Sequence, residues 1–132
     1  MFLHKVPWRK VEELVAGAYE REGWTEVVLT PGSGDGGVDI IASRPGIGSI
    51  RILDQIKAYA PHRVVTANDV RAMLGALTGD RNASKGIVTT TSAFAPGIES
   101  DPGLKPFIPY RLELKDGPTL AQWLIGIRNK HR

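Results

Sequence analysis

The sequence predicts an α/β fold in which a central mixed sheet of five strands is flanked by helices. Apolar residues recur at helical spacing near both ends and once in the middle of the chain. Short runs rich in β-branched residues lie between these segments, and glycine or proline separates the runs. The predicted element order is α-β-β-β-α-β-β-α. Because 132 residues suffice for one core, we expect a single domain over residues 1–132.

The first half of the chain is predicted to form a helix followed by three strands. The helix runs from Trp8 to Glu22 and ends before Gly23, and the strands cover Trp24–Thr30, Val38–Ser43 and Ile50–Tyr59. A turn rich in glycine and proline precedes Ile50 and returns the chain antiparallel. The three strands are therefore expected to form a meander.

The second half is predicted to continue with a helix, two strands and a terminal helix. Thr66 or Asn68 is expected to cap the first of these helices, which reaches about Leu77. The stretch from Pro96 to Pro109 is too rich in proline and glycine for regular structure. The remaining elements are strands at Gly86–Ser92 and Arg111–Lys115 and a helix after Asp116-Gly117-Pro118.

Composition excludes several classes of protein. The chain has no cysteine, so it has no disulfide framework and no thiol nucleophile, and a cytoplasmic location is expected. No run of about 18 apolar residues occurs, which argues against a membrane span. The formal net charge of +3 permits a polyanionic partner without requiring one.

Two familiar types of site are disfavoured by their sequence context. Gly32-Ser33-Gly34-Asp35-Gly36-Gly37 has the spacing of a dinucleotide-binding loop, but a predicted strand follows it where a helix is needed. The histidines His4, His62 and His131 are not spaced like zinc ligands, and no Gly-x-Ser-x-Gly elbow is present. Any hydrolysis is therefore expected to depend on a metal.

Carboxylate, amide and lysine side chains converge on the predicted meander. Strand alternation places Gln55 and Lys57 on the same face, and Asp39 lies at the head of the adjacent strand. Glu12, on the first helix, lies beside that helix's apolar stripe and can point across the sheet. Oxygen donors of this kind suit magnesium. The alternative is an amphipathic strand with a solvated face, and spacing alone does not decide between the two.

Four stretches of the chain match a known pattern in order and spacing. They are Val11-Glu12-Glu13-Leu14-Val15 followed by Gly23-Trp24, Gly34-Asp35-Gly36-Gly37-Val38-Asp39, Gln55-Ile56-Lys57, and Gly86-Ile87-Val88-Thr89-Thr90-Thr91. Together they resemble the catalytic domain of Mrr-type restriction endonucleases, a branch of the PD-(D/E)XK nuclease superfamily. The chain departs from that pattern at Val11, which replaces an aromatic residue, and at 96–109, which lacks the usual helical pattern.

The resemblance implies a restriction-endonuclease-like core and a metal-dependent endodeoxyribonuclease. It implies Asp39 as the metal ligand, Gln55 as the second position of the motif, Lys57 beside the attacking water and Glu12 as an accessory acid. Magnesium is the expected cofactor, with manganese able to substitute. DNA is the expected partner, and a homodimer is expected for cutting both strands. A DNA-recognition domain, separate or fused, is a further expected partner.

Three alternatives remain open at this point. A Holliday-junction-resolvase-like nuclease shares the expected architecture, although its second motif position is normally acidic, whereas here it is Gln55. A catalytically inactive nucleic-acid-binding module of the same fold has no need of the full set of four site residues. A small-molecule nucleotide binder depends only on the glycine loop.

Overall fold

The helices and strands follow the predicted order. The computed structural model describes residues 3–30 and 37–130. The helices are α1 (Trp8–Arg21), α2 (Ala67–Gly79) and α3 (Gly117–Lys130). The strands are β1 (Glu26–Leu29), β2 (Ile40–Arg44), β3 (Ile50–Lys57), β4 (Lys85–Thr90) and β5 (Leu112–Lys115). Short 3-10 turns occupy Leu3–Lys5, Ile98–Ser100 and Lys105–Phe107.

The strands form one five-stranded mixed sheet in the order β1-β2-β3-β4-β5. The first three strands are antiparallel neighbours, which confirms the meander. β3, β4 and β5 run parallel, and α2 supplies the crossover that parallel β3 and β4 require. The predicted α/β architecture, a mixed five-stranded sheet flanked by helices, is thus confirmed.

Helices cover both faces of the central strand β3. Ile52 and Ile56 pack on the side of α1 and Leu120 of α3, whereas Leu53 packs with Val70 on the side of α2. All residues from 52 to 56 are consequently buried. A solvated face for this strand is therefore wrong, since polar side chains on it must find partners inside the protein.

The boundaries differ from the predicted ones by a residue or two. β2 begins at Ile40 instead of Val38, and β3 ends at Lys57 instead of Tyr59. Thr66 is the N-cap of α2 and forms a reciprocal capping box with Asp69. The stretch 96–109 contains only short 3-10 turns. The predicted glycine loop lies outside the described residues except for Gly37.

Gly117 allows α3 to start tightly against the end of β4. Its N–H donates to Ser92 O at 2.9 Å, and a Cβ at this position would lie 2.5 Å from Thr91 O. Any larger residue must therefore displace backbone. No helix in the described ranges is both long enough and apolar enough to cross a membrane.

Candidate active site

A cleft of about 450 Å³ opens where β3 ends beside the N-terminus of α1. Glu12, Asp39, Gln55 and Lys57 all line it. Gln55 and Lys57 lie on the same face of β3, Asp39 directly precedes β2, and Glu12 comes from α1. The structure thus brings all four residues singled out in the sequence into one place.

Asp39 is fixed by the backbone of β3. Its N–H donates to Asp54 O at 2.9 Å, and its Oδ2 accepts from the Ile56 N–H at 2.7 Å. Burial raises the pKa of this carboxyl, against the opposing effects of the Ile56 hydrogen bond and the nearby Lys57 charge. The backbone of β3 therefore fixes Oδ2, whereas Oδ1 takes no part in that hydrogen bond.

Glu12 is a buried acid that faces Asp39. Its side chain is paired with Arg9, whose Nη1 lies 2.7 Å from Glu12 Oε1. Burial raises the pKa of Glu12, and its carboxyl is close enough to that of Asp39 to share a hydrogen bond. Two acids this close are stable either with a proton between them or with a cation beside them.

Gln55 is a buried amide that lines the cleft. The residue is 2% exposed, and its Nε2 donates to Gly37 O at 3.3 Å. Its Oε1 is buried and has no hydrogen-bond partner. Because buried acceptors are normally satisfied, this oxygen is a candidate metal ligand.

The donor set fits a hard divalent cation. No three His, Cys, Asp or Glu side chains in the described ranges are grouped so as to hold a metal by themselves. A cation in the cleft would lie near the Asp39 carboxylate, the Gln55 amide and Glu12, which all line it. Oxygen ligands alone are what magnesium and manganese accept, with water completing the shell.

Lys57 lines the cleft, and the start of α2 orients its side chain. Its Nζ lies 3.9 Å from Asp69 Oδ1 and 6.0 Å from the centre of the Tyr59 ring. Asp69 is itself locked by the capping box with Thr66. The ammonium group is thus positioned by an acid that belongs to a helix cap.

Asp54 forms a second polar cluster, on the opposite face of β3. Its carboxylate accepts from Tyr19 Oη at 2.6 Å and from Thr89 Oγ1 at 2.8 Å. Complete burial raises its pKa to about 6, against the opposing charge of Lys115 and these two hydrogen bonds. Asp54 lies outside the cleft, so it contributes no ligand there.

Sequence reasoning missed several residues of this region. Asp69 has the spacing of an acid that caps a helix, so the sequence gives no indication that it also contacts Lys57. Trp8, Tyr59 and Arg63 line the cleft but carry no motif. The sequence does contain one indication of the buried cluster. Asp54 is an acid that alternates with Ile52 and Ile56 on the side of β3 that faces α1.

Two solved structures share this fold. The MspJI restriction endonuclease, in complex with a 27-mer oligonucleotide, superposes with a TM-score of 0.62 and 24% identity. The DNA modification-dependent restriction endonuclease AspBHI superposes with a TM-score of 0.57 and 18% identity. The alignments cover 86% and 97% of this chain. They identify the fold as restriction-endonuclease-like, as expected from the sequence.

The family follows from a match over most of the chain. A search of curated proteins found no match. The chain spans only 26% of the MspJI chain and 39% of the AspBHI chain, so it corresponds to one part of each. The restriction endonuclease family model for the Mrr catalytic domain matches residues 3–124. The chain therefore belongs to the restriction endonuclease family, as a catalytic domain of the Mrr type.

Proposed function

We propose that residues 1–132 are the catalytic unit of an endonuclease that hydrolyses DNA phosphodiester bonds with a divalent cation, magnesium or manganese. The observation that carries the proposal is the cleft itself. Asp39, Gln55 and Lys57 line it together, and the Gln55 side chain has a buried oxygen without a hydrogen-bond partner. Family membership supports the reaction class, and the oxygen donors support a hard divalent cation as the cofactor.

Each residue has a distinct part in this proposal. Asp39 and Gln55 would hold the cation, which when bound offsets the negative charge of the phosphodiester and makes a water more acidic. Lys57 places a positive charge where negative charge develops, or takes part in the water's deprotonation. Glu12, held by Arg9, keeps a second carboxyl beside Asp39.

The reaction needs partners beyond this chain. Because one site cuts one strand and the strands of a duplex are antiparallel, a homodimer is the assembly we propose for double-strand cleavage. A DNA-recognition domain, fused or separate, would select the target. This chain spans only 26% of MspJI and 39% of AspBHI, so both proteins have further parts outside the matched region. A cytoplasmic location stays a prediction.

Plasmid cleavage tests the proposal. The pure protein is incubated with supercoiled plasmid in magnesium, manganese, calcium or EDTA. We expect nicked and linear products with magnesium and manganese, weak cleavage with calcium, and none in EDTA, because calcium's looser coordination positions water less well. Undiminished cleavage in EDTA would refute the mechanism.

Two further outcomes separate the alternatives. DNA binding without cleavage under any divalent cation would identify an inactive nucleic-acid-binding module. Preferential cutting of a four-way junction over linear duplex of the same sequence would identify a resolvase-like nuclease. The glutamine at position 55, where resolvases normally carry an acid, favours the endonuclease.

A further inference from the structure

An exposed tryptophan stands at the rim of the active-site cleft. Trp8 is the first residue of α1, lines the cleft with Glu12 and Asp39, and is 50% exposed. In the described part of the chain its indole makes no ring or cation–π contact, whereas Trp24 and Trp123 both pack against Tyr19. An exposed indole at the rim of a cleft offers a flat apolar face to a ligand that enters the cleft.

The loop after β3 supplies a second aromatic group in the same cleft. Tyr59 lines the cleft, and the Arg63 guanidinium lies 3.8 Å from the centre of its ring. Arg63 is exposed and belongs to no ion pair in the described ranges, so its charge is available to a phosphate. Aromatic faces combined with arginine are the elements of single-stranded nucleic-acid binding.

The size of the cleft suits a single nucleotide. Its volume of about 450 Å³ is that of a small-ligand pocket. The deepest groups, Glu12 and Gln55, are 3% and 2% exposed. Because Trp8 lines the same cleft as these groups, a nucleotide whose phosphate reached them would lie near Trp8.

We propose that Trp8 stacks on a nucleobase displaced from the helix beside the phosphate to be cut, while Arg63 on Tyr59 holds the adjoining backbone. The chain then binds DNA with an unpaired nucleotide at the cleavage position more tightly than perfectly paired DNA. This inference depends on the proposed function, because it places the substrate's phosphate in the Asp39 cleft. Indole stacks on every base, so the preference is for an unpaired nucleotide and not for a sequence.

Binding to a matched set of oligonucleotides tests the inference. The set comprises one duplex, the same duplex with a single unpaired nucleotide, and the single strand, all measured in calcium at fixed salt. We expect the wild type to favour the two unpaired forms. Trp8→Ala should weaken binding to those forms about 5- to 150-fold, the range for loss of one base stack, and change duplex binding less than twofold. Trp8→Phe should retain most of the affinity.

Two controls define the contribution of Trp8. Tyr110→Ala removes an 85% exposed aromatic residue that precedes β5, at the end of the sheet opposite the cleft, and should change nothing. Arg63→Ala should weaken binding to all three DNA forms alike. It should also reduce the slope of log affinity against log salt concentration by about one, the value for one lost phosphate contact. The fluorescence difference between wild type and Trp8→Phe reports the Trp8 ring, and unpaired DNA should quench it.

Each result has a defined meaning. Equal loss on paired and unpaired DNA, or no loss in Trp8→Ala, overturns the stacking inference. Absence of cleavage by the wild type in magnesium and manganese overturns the proposed function instead. If the Trp8-dependent preference persists without cleavage, the stacking subsite stands on its own as a nucleic-acid-binding site.

Discussion

Replacing Gln55 by methionine should stabilise the metal-free protein and weaken its hold on a divalent cation. Methionine has a similar length and volume, so the packing around β3 changes little. The substitution removes the buried Oε1 that lacks a partner and the Nε2 that donates to Gly37 O. These two losses affect stability in opposite directions.

The net effect on the metal-free protein follows from the geometry. An unsatisfied buried acceptor costs about 1–3 kcal/mol, and removing it recovers that cost. The hydrogen bond to Gly37 O, at 3.3 Å, contributes about 0.5–1.5 kcal/mol. Gly37 is exposed, so water replaces the lost donor. We expect Gln55→Met to be more stable than wild type by about 1 kcal/mol.

The effect of magnesium should have the opposite sign. At a concentration 100 times the dissociation constant, a bound ion stabilises the folded state by about 2.7 kcal/mol. Loss of even an outer-shell partner lowers metal affinity about 10- to 100-fold, and loss of a direct ligand should cost at least as much. The same magnesium concentration would then add about 1.4 kcal/mol or less, down to about 0.4 kcal/mol.

Urea unfolding in EDTA and in excess magnesium measures both effects, and plasmid cleavage is measured beside it. Gln55→Glu keeps an oxygen at the ligand position, so it should retain cleavage and magnesium stabilisation. Without metal it should be less stable, because a third acid joins Asp39 and Glu12. Gln55→Ala should lose most cleavage. Gln122→Met, at an exposed position of α3, serves as the matched control. A Gln55→Met protein with wild-type magnesium stabilisation would refute the ligand role.

Three further predictions concern other parts of the chain. Lys57→Ala should lower plasmid cleavage at least a hundredfold while DNA affinity stays nearly intact. Lys105→Ala, at an exposed position, should change neither cleavage nor affinity. Asp54 has its pKa raised to about 6, so its unfolded form deprotonates first as pH rises from about 4 to 6. The free energy of unfolding of wild type should therefore fall by about 3 kcal/mol over that pH range. Urea unfolding curves from pH 4 to 7 should show a smaller fall for Asp54→Asn. If the two proteins show the same pH dependence, Asp54 is ionised throughout. Gly117→Ala should destabilise by about 1–3 kcal/mol because its Cβ meets Thr91 O, whereas Gly126→Ala, with open space around it, should be neutral or slightly stabilising. Equal urea midpoints for these two variants would contradict the close approach at Gly117.

The fold could be predicted because its local patterns agree with its topology. Helical periodicity located α1 to within a residue of its end, and Thr66 lies where a cap was expected. The turn rich in glycine and proline predicted the antiparallel β2–β3 pair. Parallel pairing of β3, β4 and β5 was less accessible, since register between distant strands depends on packing that short-range patterns do not encode.

The site was predictable only in part, for a physical reason. Strand alternation placed Gln55 and Lys57 together because that rule needs only the backbone. It could not show that α2 brings Asp69 to within 3.9 Å of Lys57, since that distance depends on how the helix docks. The same limit applies to Trp8, whose exposure at the cleft depends on where α1 begins relative to the sheet.

The two faces of β3 explain why the cleft carries so few acids. Asp54 is adjacent to Gln55 in the chain, yet alternation turns it toward α1, where both of its oxygens already accept hydrogen bonds. It cannot move to the cleft without abandoning Tyr19 and Thr89. Negative charge in the cleft therefore comes from Asp39 and Glu12, with a neutral amide at the position of a further acid. A cation held by so few charged ligands would bind loosely to the protein alone, and a DNA phosphate in the cleft would supply a further anionic oxygen.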